Sequence, residues 1–152
     1  MAEIRTSRTD SGECIASLFA EAPGSSDRLW TIGELARECD VTLRAMRFYE
    51  AKGLPEPSRE GLARLYDAEN RRRLRIIVRA KKLGFSLVQI RDLLGLVGSA
   101  EPLDRRLGVV GDRLRQQIGQ LEAMRIEAEQ ALVAIADEIA ALDRALAPDA
   151  RG

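Results

Sequence analysis

Apolar residues fall into two regular patterns along this chain, and each pattern predicts a different kind of element. Between Trp30 and Leu96 they come in short bursts at helical spacing, each opened by a capping residue and closed by a turn residue. From Leu107 onward they recur every seven residues as Leu107, Leu114, Leu121, Ala128, Ile135 and Leu142. A second row follows four residues behind, as Gly111, Ile118, Arg125, Leu132, Ile139 and Leu146. The first 28 residues are rich in Ser, Gly, Ala and Glu, with one weak cluster, Ile15-Ala16-Ser17-Leu18-Phe19. Residues 1–28 therefore read as a flexible tail, with a short helix around that cluster as the second reading.

The bursts resolve into four helices. Thr31 and Glu34 have capping-box spacing, and Trp30 and Leu35 occupy the two staple positions around that cap. This helix ends near Glu38 or Cys39, and Asp40 is one of the few non-glycine types that tolerates a left-handed turn. Thr42 caps the next helix, Val41 staples onto Met46, and Gly53 follows Lys52 as the residue beyond its C-terminus. Two short helices joined by a tight turn make a helix-turn-helix. The stretch LPEPSREGLARLY has two prolines, a glycine and sparse apolar positions, so it predicts a loop or a short two-stranded wing. Asp67 then caps a third helix that runs through Leu74, Ile76, Ile77 and Ala80 until Gly84 stops it. Ser86 with Gln89, and Phe85 with Ile90, open a fourth to about Leu96.

Residues 29–96 thus form a winged helix-turn-helix domain, 97–103 a linker, 104–147 a coiled-coil helix and 148–152 a short tail. The fold class is mostly α. Gly111 and Arg125 are flaws in a 3–4 apolar repeat that otherwise lasts about six heptads. One reading folds that amphipathic helix back on its own domain, but residues 29–96 are too small a body to cover the stripe. No second long helix exists in the chain to pair with it, so the seam calls for another copy of the protein. Leu107, Leu114, Ile118, Leu121, Leu132, Ile135, Ile139 and Leu142 are the expected dimerisation residues.

Composition removes whole classes of function. There is no histidine, the commonest general base and zinc ligand, and the two cysteines, Cys14 and Cys39, are isolated. No enzyme, metal site or cofactor is expected. The longest stretches without a charge, Leu83 to Ile90 and Leu93 to Ala100, are far shorter than the ~20 residues of a spanning helix. No secretory signal opens the chain, and two cysteines cannot staple a secreted scaffold, so a cytoplasmic protein is expected. Balanced charge, 24 basic against 24 acidic residues, hides an uneven distribution. Residues 29–96 carry 14 basic and 9 acidic groups, while both flanking segments are net acidic. A basic middle points to an anionic partner.

The second helix supplies the reason to name double-stranded DNA. In a helix-turn-helix that helix enters the major groove N-terminus first. Thr42, Arg44, Arg47 and Tyr49 sit near its start or on faces not needed for the core, whereas Met46 and Phe48 are expected to pack inward. Arginine's planar fork reads guanine or grips phosphate in two bonds. Arg59 and Arg64 in the wing are placed for flanking phosphates or the adjoining minor groove. Of Arg71-Arg72-Arg73 with Arg75, only some can face one partner, because the run winds round a helix start. Cys39 in the turn reads as a small buried filler.

The segments TIGELARECDVTLRAMRFYEAKGL and RLYDAENRRRLRIIVRAKKLGFSLVQIRDLL resemble the DNA-binding domain of MerR-type (mercury-resistance-like) transcription regulators over roughly residues 29–96. That resemblance implies a homodimer with an antiparallel coiled coil. It implies a palindromic promoter with an overlong spacer, bent and underwound so that RNA polymerase can engage. It also implies DNA contacts from Thr42, Arg44, Arg47, Tyr49, Arg59 and Arg64. The chain departs from the family pattern at Asp40, where Gly is frequent, and at Leu62-Ala63, where a Gly-Tyr pair precedes the wing arginine. Sensing members carry cysteines at or beyond the end of the dimer helix, and residues 97–152 contain none, which disfavours metal, mercury or iron–sulfur sensing. Drug-sensing members carry a large C-terminal domain, and this chain ends about six residues past its coiled coil. The REG…RLY wing and the RRRLRIIVRAKKLGFSL tract are most similar to a branch linked to branched-chain amino-acid and acyclic isoprenoid catabolism. The competing reading is a coiled-coil adaptor without sequence-specific DNA binding. No residue cluster announces a small-molecule effector.

Overall fold

The computed structural model describes residues 14–22, 26–55, 58–60 and 63–147. It divides into two compact units, residues 1–110 and 111–152. In chain order the elements are α1 (Ile15–Ala20), β1 (Trp30–Thr31), α2 (Ile32–Glu38), α3 (Leu43–Ala51), β2 (Ser58–Glu60), β3 (Ala63–Tyr66), α4 (Ala68–Lys82), α5 (Leu87–Val97) and α6 (Leu103–Leu146). The class is mostly α, a helix-turn-helix with a small wing and a long C-terminal helix, as the hydrophobic pattern predicts. None of the described helices is long and apolar enough to cross a membrane.

Local chemistry explains each helix boundary. Thr31 Oγ1 accepts from the Glu34 amide at 3.2 Å while Glu34 Oε2 accepts from the Thr31 amide at 2.8 Å, closing the first box. Ser86 and Gln89 close a second in the same way. Thr42 and Asp67 each accept from the amide three residues on. Three helices also end alike, with a 6→1 bond across a left-handed residue: Val41 N to Ala36 O, Leu54 N to Tyr49 O and Phe85 N to Ala80 O. The left-handed residues are Asp40 at φ 52°, Gly53 at 70° and Gly84 at 84°.

The wing is part of a three-stranded antiparallel sheet of order β1-β3-β2. Trp30 pairs with Tyr66 and Thr31 with Leu65, so the residues that staple and cap α2 also extend the sheet. On the other edge Ser58, Arg59 and Glu60 pair with Leu65, Arg64 and Ala63. Leu62, one of the departures from the family pattern, lies outside the described residues.

Within residues 1–28, α1 is the short helix of the second reading rather than flexible tail. Ile15, Leu18 and Phe19 are buried, and the helix packs against α4. The cause lies in α4, which buries Leu74 and Ile77 on one side and Arg72 and Ile76 well round from them. At about 100° per residue those positions span too wide an arc for the sheet and α5 alone to cover. Arg72 Nη1 donates to the Glu21 carbonyl at 2.6 Å and Arg75 Nη1 meets Glu21 Oε1 at 3.1 Å, which fixes the end of α1. Residues 1–13 and 23–25 lie outside the described residues.

In the second unit, residues 111–146 continue a helix whose full 44 residues extend about 66 Å. Its apolar ridge is open: Ile118, Leu121, Leu132, Ile135, Ile139 and Leu142 are all exposed, at 45% to 67%. Leu107 and Leu114 are half-buried.

Candidate nucleic-acid interface

On α3, Met46 and Tyr49 are buried, three residues apart on one face. The opposite face displays Arg44, Arg47 and Phe48, with Thr42 exposed at the N-cap. Arg44 and Arg47 form no ion pair or hydrogen bond with any other described side chain. Their guanidinium groups are left to solvent or to a partner.

This arrangement reverses one sequence expectation. Tyr49 retains only 8% exposure, and burial pushes its phenol above the ordinary range, whereas Phe48 is 46% exposed. The physical reason is helical geometry: residues two apart lie about 200° apart, so Met46 and Phe48 cannot share the core. Phe48 instead stands beside the arginines, its ring edge-on to Tyr49 at 5.8 Å and under Lys52 Nζ at 5.6 Å. An exposed aromatic ring on that face was the functional candidate that sequence reasoning missed, and the i, i+2 spacing from Met46 was the signal for it.

The wing arginines are placed differently. Arg64 Nη1 meets Glu50 Oε2 at 3.0 Å, and the same oxygen accepts from Tyr66 Oη at 3.3 Å. Tyr66 is fully buried, and burial together with the Glu50 charge pushes its phenol up to about 12. Arg64 keeps 36% of its side chain exposed, so it braces β3 against α3 and still presents an edge outward. Arg59 is opposite Arg64 in the β2–β3 register, but its side chain lies outside the described residues.

Other basic residues serve the inside of the domain. Arg73 Nε donates to the Leu54 carbonyl at 3.1 Å, and Arg91 Nη2 to the Lys52 carbonyl at 2.8 Å, so α4 and α5 both hold the end of α3. Arg71 pairs with Glu38, through Nε at 2.7 Å, and lies 5.3 Å from the Trp30 ring centre. The Arg71–Arg75 run therefore fastens α1, α2 and α3 to α4. Cys39 is half-buried and its thiol is pushed up to about 11, chiefly by desolvation and then by the Glu38 charge, which makes it a poor nucleophile. No group of three or more potential metal ligands occurs among the described residues.

The comparisons with known proteins agree with this geometry. Residues 30–96 match the family described as "MerR HTH family regulatory protein", and residues 71–142 match "MerR, DNA binding". The HTH-type transcriptional regulator ZntR of Escherichia coli is 36% identical over 104 residues, covering 64% of this chain and 74% of that protein. This chain belongs to the MerR family. The mercuric resistance operon regulatory protein of Bacillus cereus is 46% identical over 72 residues, 46% of this chain and 54% of that one. Among solved structures, a MerR family transcriptional regulator from Bacillus cereus superposes with a TM-score of 0.61 at 25% identity, over 80% of this chain and 88% of that chain. A transcription regulator from Ralstonia metallidurans in complex with lead(II) gives 0.54 at 31% identity, over 81% and 90%. As a MerR-family protein, the chain is a DNA-binding transcription regulator and not an enzyme.

Proposed function

We propose that the protein acts in the cytoplasm as a homodimer on a palindromic promoter site, distorting the duplex so that RNA polymerase can engage. The observation that carries the reading is the outward face of α3, where Arg44 and Arg47 stand exposed without a partner among the described side chains, beside the exposed Thr42 cap at the end that a recognition helix inserts. Arg44 and Arg47 contact base edges or phosphates, Phe48 meets a thymine methyl, and Arg59 and Arg64 grip flanking backbone. Tyr49, being buried, contributes by seating the helix. The ridge from Leu107 to Leu142 supports dimerisation, since six of its eight expected residues are exposed. Membership of the branch concerned with branched-chain amino-acid and isoprenoid catabolism is supported by the wing and α4 sequences, and predicts operators beside such genes.

A footprint on the DNA upstream of the protein's own gene tests the central claim. It is expected to reveal a two-fold site whose affinity falls steeply with salt. Arg47→Ala should weaken that binding by about tenfold or more while leaving the melting temperature within a degree or two. Equal binding to unrelated duplexes would overturn the proposal.

A further inference from the structure

On the side of the first unit where α1 docks lies a cavity of about 470 Å³, a size that suits a small molecule. Its wall includes Glu21 beyond α1, Glu69 and Arg72 in the first turns of α4, Ser99 after α5, and Arg106 near the start of α6. None of these residues belongs to the DNA-facing surface.

Two arginines there are incompletely bonded. Arg72 keeps only 7% side-chain exposure and commits Nη1 to the Glu21 carbonyl and Nη2 to Glu69 at 3.2 Å. Arg106 points Nη1 at the carbonyls of Leu96 and Val97, at 3.5 and 3.3 Å. The Nε–H of each is buried and has no hydrogen-bond partner. A buried guanidinium donor without a partner is uncommon, and two on one cavity mark a place for an acceptor. Ser99 adds a third donor, because its hydroxyl oxygen accepts from the Glu101 amide at 3.1 Å and its proton remains to be given.

Charge selects the kind of acceptor. The carboxylates of Glu21 and Glu69 are matched by Arg75 and Arg72, at 3.1 and 3.2 Å. The bonds of Arg106 go to neutral carbonyls, so its charge is the one on the cavity wall without a carboxylate partner among the described residues. We propose that this cavity binds a small oxyanion, a carboxylate- or phosphate-bearing molecule, held by Arg72 and Arg106. The ligand gives both arginines a further acceptor and bridges α4 to the start of α6.

The test is a titration of the full-length protein, without DNA, with inorganic phosphate and separately with butyrate, following the arginine Nε–H resonances by NMR. Saturable shifts of the Arg72 and Arg106 signals are expected with at least one probe, and which probe acts distinguishes a phosphoryl from a carboxylate ligand. Arg106→Gln should weaken that binding by about tenfold or more, and Arg106→Lys by less, since it retains the charge without the Nε donor. The double variant Arg44→Ala, Arg47→Ala should bind within about twofold of the parent. Signals that stay fixed with both probes, or drift without saturating, overturn the proposal, as does unchanged affinity in a folded Arg106→Gln protein. Because no DNA is present, the result does not depend on the regulator reading.

Discussion

Glu50 takes hydrogen bonds from both Arg64 and Tyr66, so one carboxylate joins α3 to two residues of the wing strand. Replacing it with alanine leaves the buried Tyr66 hydroxyl without its acceptor, at a cost of about 1–3 kcal/mol measurable by chemical denaturation. The same carboxylate helps to hold the Tyr66 phenol at about 12, behind the larger effect of burial. In Glu50→Ala the tyrosinate absorbance of the folded protein should therefore appear at lower pH than in the parent, though still above the ordinary value of about 10. The linkage has a definite sign. A folded value above the unfolded one means that the stabilising contribution is complete below pH ~10 and is lost as pH rises through about 12. A denaturation series across that window checks it. This scale is also where the sequence was hardest to read. Phe48 and Tyr49 are adjacent aromatics, and only the direction set by Met46 decides which of them turns inward.

At the scale of elements, the boundaries were legible because caps depend on residues three apart, a relation that survives any tertiary context. Thr31, Thr42, Asp67 and Ser86 all cap as their spacing requires. The six-residue α1 is only the second reading of its segment, because it carries no side-chain cap and is too short for a periodic stripe. Its trace lay in another element, in the second apolar side of α4 that needed a cover. Phe19 is 1% exposed at that contact, so Phe19→Ala is predicted to cost about 3–5 kcal/mol, read by thermal or denaturant unfolding. A loss below about 1 kcal/mol would restore the flexible-tail reading.

For the molecule as a whole, the excess basic charge of residues 29–96 is largely spent on holding helices together, and Arg44 and Arg47 are what remains on the outward face of α3. The sequence total pointed to an anionic partner, but bonding inside the domain decides which arginines are available to it. On the dimer proposed above, Leu121→Asp places a charge on the ridge, and sedimentation should show a monomer whose operator affinity is at least tenfold lower. Sedimentation as a dimer would show that the ridge is not the contact. The shared carboxylate has an engineering consequence. Operator preference cannot be transplanted by grafting the nine residues of α3 into a related scaffold, because the graft carries Glu50 away from its arginine and phenol. A working chimera has to move β3 with the helix as a single cassette.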